Sequence, residues 1–161
     1  AVTDYAQVYV PLPYHWAVPG EALWAQPLGD GLYQLQSSPF YAYALNFLDV
    51  VLATPGEPEL PPQVRRVVRR SGHATLRVVF FESVPETERA PLLTSLARHE
   101  ATFEAADARY FVLDVDPAGN LAAVRQQLDA WESAGMLEYE TCEARREDSF
   151  DDVACDEDAS E

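Results

Sequence analysis

A change of hydrophobic rhythm near residue 74 constrains this chain more than any single motif does. Upstream, apolar residues recur at every second position in short runs broken by glycine and proline, the period of half-buried strands. YAQVYVPL (5–12), EALWAQPL (21–28), LYQLQ (32–36), FLDVVLAT (47–54) and VRRVVRR (64–70) read as five such strands. Gly29-Asp30-Gly31 supplies a tight hairpin connection, because glycine takes φ > 0 without a steric penalty. TPGEPELPP, with four prolines, can only be an extended loop. SSPFYAYALNF (37–47) is rich in aromatics and fits neither period. Five short strands without a helix predict a small barrel-like half of SH3-like type over residues 1–73.

Downstream the pattern alternates between strand and helix. TLRVVFFE (75–82) reads as a central strand. Ser83-Val84-Pro85-Glu86 has the form of a capping box, and Leu92, Leu93, Leu96 and Ala97 give a short helical stripe with Pro91 in its first turn. ATFEAA (101–106) and RYFVLDV (109–115) form a hairpin around Asp107. Leu121, Val124, Leu128 and Trp131 recur at helical spacing until Gly135, and MLEYETC (136–142) alternates as a last strand. The order over 74–143 is β-α-β-β-α-β, so an α+β chain with a ferredoxin-like second half is predicted. Residues 144–161 are expected to be an acidic, disordered tail. From Glu143 onward, nine carboxylates face only Arg145 and Arg146.

The charge limits what such a fold can bind. Asp and Glu number 27 against 11 basic residues, all arginine, for a net charge of −16. An acidic surface argues against nucleic acid and against anionic membranes, and it makes a basic protein the natural partner. Two cysteines, Cys142 and Cys155, make no disulfide framework. AVTDYAQVYV lacks a basic, apolar leader, and no apolar run approaches a membrane span. A cytoplasmic protein is expected.

Chemistry-bearing residues concentrate in VRRVVRRSGHATLRVVFF (64–81), which holds five of the arginines and one of three histidines. Arg70, Ser71, His73 and Arg77 could converge around the Ser-Gly turn on a phosphate or carboxylate. His73 opens HATL, one half of the paired H-x-T-x element of two-histidine phosphoesterases, and no second copy exists. The competing structural reading pairs these arginines with the chain's own carboxylates. Asp114-x-Asp116 and Glu138-x-Glu140 each place two carboxylates on one strand face, read as solvated charges and not as a metal site. No zinc, nucleotide-loop or nucleophile motif is present, so no cofactor and no catalytic residue is expected. Trp16, Trp24, Tyr41 and Tyr43 are core residues by default and interface anchors if exposed.

LWAQPLGDGLYQL, SPFYAYALNFLDVV and RRVVRRSGHATLRVV together resemble a bacterial family catalogued as domain of unknown function 4265, over roughly residues 8–142. The matching elements are Leu23-Trp24-Ala25, Gly31 with Tyr33, Pro39-Phe40, Asp49-Val50, Arg70-Ser71-Gly72-His73 and Leu76-Arg77. The resemblance implies a small, bacterial, intracellular protein and no particular activity. With the charge, the expectation is a cytoplasmic immunity protein that neutralises a toxin domain by direct binding, its acidic surface filling a basic active site. Trp16, Tyr41, Tyr43, Glu138 and Glu140 are its expected contact residues. The alternative is a small-anion, nucleotide or phosphoester site at Arg70, Ser71, His73 and Arg77.

Overall fold

The computed structural model describes residues 4–144 and 149–150. It is a mixed α+β structure with two cores. Strands β1 (Ala6–Pro11), β2 (Gly20–Gly29), β3 (Leu32–Leu35), β4 (Val50–Thr54) and β5 (Gln63–Arg69) form a closed barrel. Chain neighbours pair antiparallel, and closure comes from a parallel contact of β1 with β5 at Tyr9 and Gln63. Its interior is built from small aliphatic side chains, among them Val8, Leu23, Ala25, Leu35, Val51 and Ala53. Trp24 lies between two inward positions of β2 and points outward, more than half exposed.

Strand β5 departs from simple alternation. Val51 pairs with Val67, Leu52 with Arg66 and Ala53 with Val64, so the ladder skips Arg65; a second shift between Val50 and Val51 skips Val68. Each skipped residue is a bulge, and the first lets Val64 and Val67 both pack on the barrel core although they are three apart. The arginines are thereby displaced outward, with Arg66 and Arg69 exposed.

The second half contains β6 (Ala74–Phe80), α1 (Glu86–Thr94), a 3-10 turn at Ser95–His99, β7 (Ala101–Ala105), β8 (Tyr110–Val115), α2 (Leu121–Ser133) and β9 (Leu137–Thr141). The strands make one antiparallel sheet in the order β7-β8-β6-β9, which puts the two most apolar strands in the centre. Leu76, Val78 and Phe80 face the helices, where Leu93, Leu96, Val124 and Leu128 complete the core together with Leu137 of β9. Helix α1 begins earlier than its leucine stripe suggests. Pro85 occupies the N-cap without any side-chain cap, so Ser83 does not form the expected box, and Pro91 stands inside the helix. The rigid φ of Pro85 starts the helix, and Arg89 secures it by donating to the Val84 and Ala108 carbonyls. At α2 the cap is conventional: Asn120 accepts from the Ala123 N–H at 3.0 Å.

Most of the segment expected to be a tail lies outside the described residues. Ser149 and Phe150 are described and are packed, not solvated: Ser149 is buried, and the Phe150 N–H donates to Glu140 at 3.0 Å.

Candidate functional site

The sheet face turned away from the helices meets the barrel, and its side chains fall in rows set by strand register. Asp114 and Thr75 form one row, Val112, Arg77 and Glu140 the next, and Tyr110, Val79 and Glu138 the third. The segment between β3 and β4 (36–49) lies over the first two rows.

That segment is held chiefly by its backbone. From the barrel side, the Glu21 carboxylate accepts the N–H groups of Phe40, Tyr41 and Ala42 at 2.7, 3.1 and 2.9 Å. From the sheet side, Arg77 donates to the Phe40 carbonyl at 2.6 Å and to the Ala42 carbonyl, and the Tyr110 hydroxyl donates to the same Phe40 oxygen. Arg77 also donates from Nε to Cys142 Sγ at 2.9 Å, lies 3.8 Å from Glu140 and sits 4.5 Å from the Tyr43 ring centre. Only 1% of it is exposed. Burial opposes its charge, but Cys142, Tyr110 and Glu140 outweigh burial and hold its pKa above the ordinary value. It remains a cation whose donors are spent inside the protein.

The Ser-Gly turn closes the other end of the segment. The buried Asp49 carboxylate accepts the Ser71 N–H at 2.8 Å and the Asn46 N–H at 3.0 Å, with Arg70 at 3.4 Å. Ser71 Oγ donates to the Phe47 carbonyl at 2.6 Å and accepts the His73 N–H at 3.1 Å. Arg70 also donates to the Ala44 carbonyl at 2.6 Å. Gly72 turns the chain at φ 91°, with Pro117 3.1 Å from where a Cβ would stand. His73 Nδ1 lies 2.9 Å from Asp114, its Nε2 3.9 Å from Asp116, and its ring meets Phe47 edge-on at 5.2 Å. Burial pushes the Asp114 carboxyl up, with His73 pulling it back.

Arg70, Ser71 and His73 therefore do come together, while Arg77 lies a row away. All four bind partners within the protein. Asp114 and Glu140, expected to be solvated, are not: Asp114 pairs with His73, and Glu140 accepts from the Tyr43 hydroxyl at 2.6 Å. Burial, then the bond to Glu140, raises the Tyr43 pKa well above its ordinary value. Among the described residues, no group of three or more His, Cys, Asp and Glu side chains is placed to hold a metal ion. Nor is any described helix long and apolar enough to cross a membrane.

The segment covers the first two rows and reaches the third only at Tyr110. Beyond it opens a groove of about 720 Å³, with Val79 and Tyr110 in its floor. Trp16 and His15 from the β1–β2 loop, Tyr41, and Phe150 form aromatic walls. His15 is fixed by accepting the Ala17 and Val18 N–H groups at Nδ1, at 3.0 and 3.1 Å. It stacks on Trp16 at 5.9 Å and meets Tyr41 edge-on at 5.0 Å, and Tyr41 meets Tyr110 at 5.9 Å. Glu138 lines the groove with Asp107, whose Oδ1 accepts the Arg109 and Tyr110 N–H groups at 2.8 Å. Trp16, Tyr41, Tyr43 and Glu138 thus share one groove, with Glu140 a row behind.

Sequence reasoning missed Glu21, Asp49, Asp107, Tyr110 and Cys142. Glu21 had a readable signal, a carboxylate at an inward position of an alternating strand, and Asp49 had another, an acid within an apolar run. Of the other three, Asp107 is marked by the sequence only as the centre of a hairpin, and the roles of Tyr110 and Cys142 arise from contacts with distant segments.

The family model described as domain of unknown function (DUF4265) matches residues 21–139. A hypothetical protein from Neisseria gonorrhoeae has a similar crystal structure, with a TM-score of 0.70 at 18% identity over 88% of this chain and 95% of that one. At that identity the likeness concerns fold alone. No curated protein matches.

Proposed function

For a chain that thus belongs to the DUF4265 family, we propose a binding function: an acidic protein that captures a basic protein partner in the groove between barrel and sheet. In its most specific form it is a cytoplasmic bacterial immunity protein, and the partner is a toxin domain whose substrate cleft is cationic. The observation that carries this reading is the groove itself. Exposed Trp16 and part-buried Tyr41 stand there beside Asp107 and Glu138, a pairing of rigid anchors with like charge suited to a basic surface. The net charge of −16 supplies the long-range attraction. We also read the meander closed by parallel β1 and β5 as SH3-like, and the order β7-β8-β6-β9 within β-α-β-β-α-β as ferredoxin-like.

The anion-site alternative has less support, since Arg70, Ser71, His73 and Arg77 already engage Asp49, Phe47, Asp114 and the Phe40–Ala42 carbonyls. The purified protein is expected to bind a toxin domain encoded beside it, with an association rate that falls about tenfold or more from low to high salt. Absence of binding, or association indifferent to salt, overturns the reading.

A further inference from the structure

The geometry points to an arginine side chain of the partner as the occupant of the groove, its guanidinium laid against the aromatic wall of Trp16, His15 and Tyr41 and answered by Glu138 and Asp107. This deepens the binding function above and rests on it.

Register fixes the floor. Tyr110 on β8, Val79 on β6 and Glu138 on β9 are direct neighbours across three strands, so Tyr110 and Glu138 stand about 10 Å apart with only a valine between them. A planar group can lie on that strip with a carboxylate at one margin and phenol at the other. The walls come from unrelated segments: Trp16, 52% exposed, from the β1–β2 loop, and Tyr41 from the segment clamped by Glu21 and Arg77. Aromatic faces attract cations, and a guanidinium can stack on rings while directing its N–H fork at a carboxylate.

The groove's own cations do not compete. Arg77 is committed to the Phe40 and Ala42 carbonyls and to Glu140. Arg109 donates from Nε to the Phe80 carbonyl at 2.8 Å and leans toward Glu82 at 3.8 Å. Glu138 forms no ion pair with any described residue, so its charge is available to a visitor. An anionic side chain would meet the carboxylates of Glu138 and Asp107. A lysine would gain the charge attraction but not the stacked, two-pronged contact.

The test is a solution NMR titration of the intact protein with acetyl-Gly-Arg-Gly-amide, compared with its lysine and citrulline counterparts. The arginine peptide should shift the Trp16 indole signal and saturate, the lysine peptide should bind several-fold more weakly, and the neutral citrulline peptide should leave the signal in place. Glu138→Gln, on an exposed edge position with spectral dispersion checked, should weaken the arginine peptide about tenfold. Trp24→Phe should change nothing. If the citrulline peptide binds as well as the arginine peptide, or the Trp16 indole does not respond, the site assignment is overturned. A basic partner that still binds with the Trp16 signal unmoved overturns the site and spares the binding function. Failure of any toxin domain encoded beside this protein to bind, with the arginine peptide seated at Trp16, does the reverse.

Discussion

At residue scale, the protein depends on charged side chains that recognise backbone. Arg77 and Glu21 grip Phe40–Ala42 from opposite sides, one taking carbonyls and the other N–H groups. Removing a buried charge strands its partners, so Arg77→Met should cost about 3–5 kcal/mol, read from urea denaturation, with the Phe40 and Ala42 carbonyls losing their guanidinium donor. Cys142 touches Arg77, and burial pushes its thiol up to about 12. In a Cys155→Ser background it should resist iodoacetamide in the folded protein at mildly alkaline pH and react fully in denaturant. Asp114 gives a pH signature. Burial raises its folded pKa above the ordinary 3.8, despite His73. A raised value contributes stability at low pH, and that contribution is lost as pH rises through it. Denaturation midpoints of wild type should therefore fall relative to Asp114→Asn as pH climbs from strongly to weakly acidic.

At the scale of elements, strands were legible where one face is buried, because period two survives in them. β1, β2, β3 and β9 alternate as their sequences require. β5 was harder, because its bulges at Arg65 and Val68 depend on a register with β4 that no local pattern encodes. The first turn of α1 is hidden from the pattern for a related reason: Glu86–Ala90 lack an apolar stripe, and the helix is set there by Pro85 and by Arg89 reaching two carbonyls. α2 announced itself through spacing, although its cap, Asn120, was not singled out. Asn120→Ala should destabilise the protein by about 1 kcal/mol in thermal or urea unfolding. Its effect should be confined to stability, with the groove's Trp16 signal unchanged.

The whole molecule is two cores joined by a polar seam, and the seam coincides with the segments that carry the family likeness: Pro39-Phe40, Asp49-Val50, Arg70 to His73 and Arg77. Sequence could mark these residues as special, but could not name their partners, which lie more than twenty positions away in the segment between β3 and β4. The groove was half legible. Trp16, Tyr41 and Glu138 stood out by type, whereas Asp107 and Tyr110 reach it only through the β7–β8 turn and the β8–β6–β9 register. Because the seam couples the cores, wild type should unfold in one transition by near-UV and far-UV circular dichroism alike. The double variant Asp49→Asn, Arg77→Met should separate it into two. A segment fastened by its main chain leaves its outward side chains without a fastening duty. Position 41 can accordingly be rewritten while Glu21 and Arg77 keep hold of the same peptide groups, so that a single scaffold can diversify the face it offers.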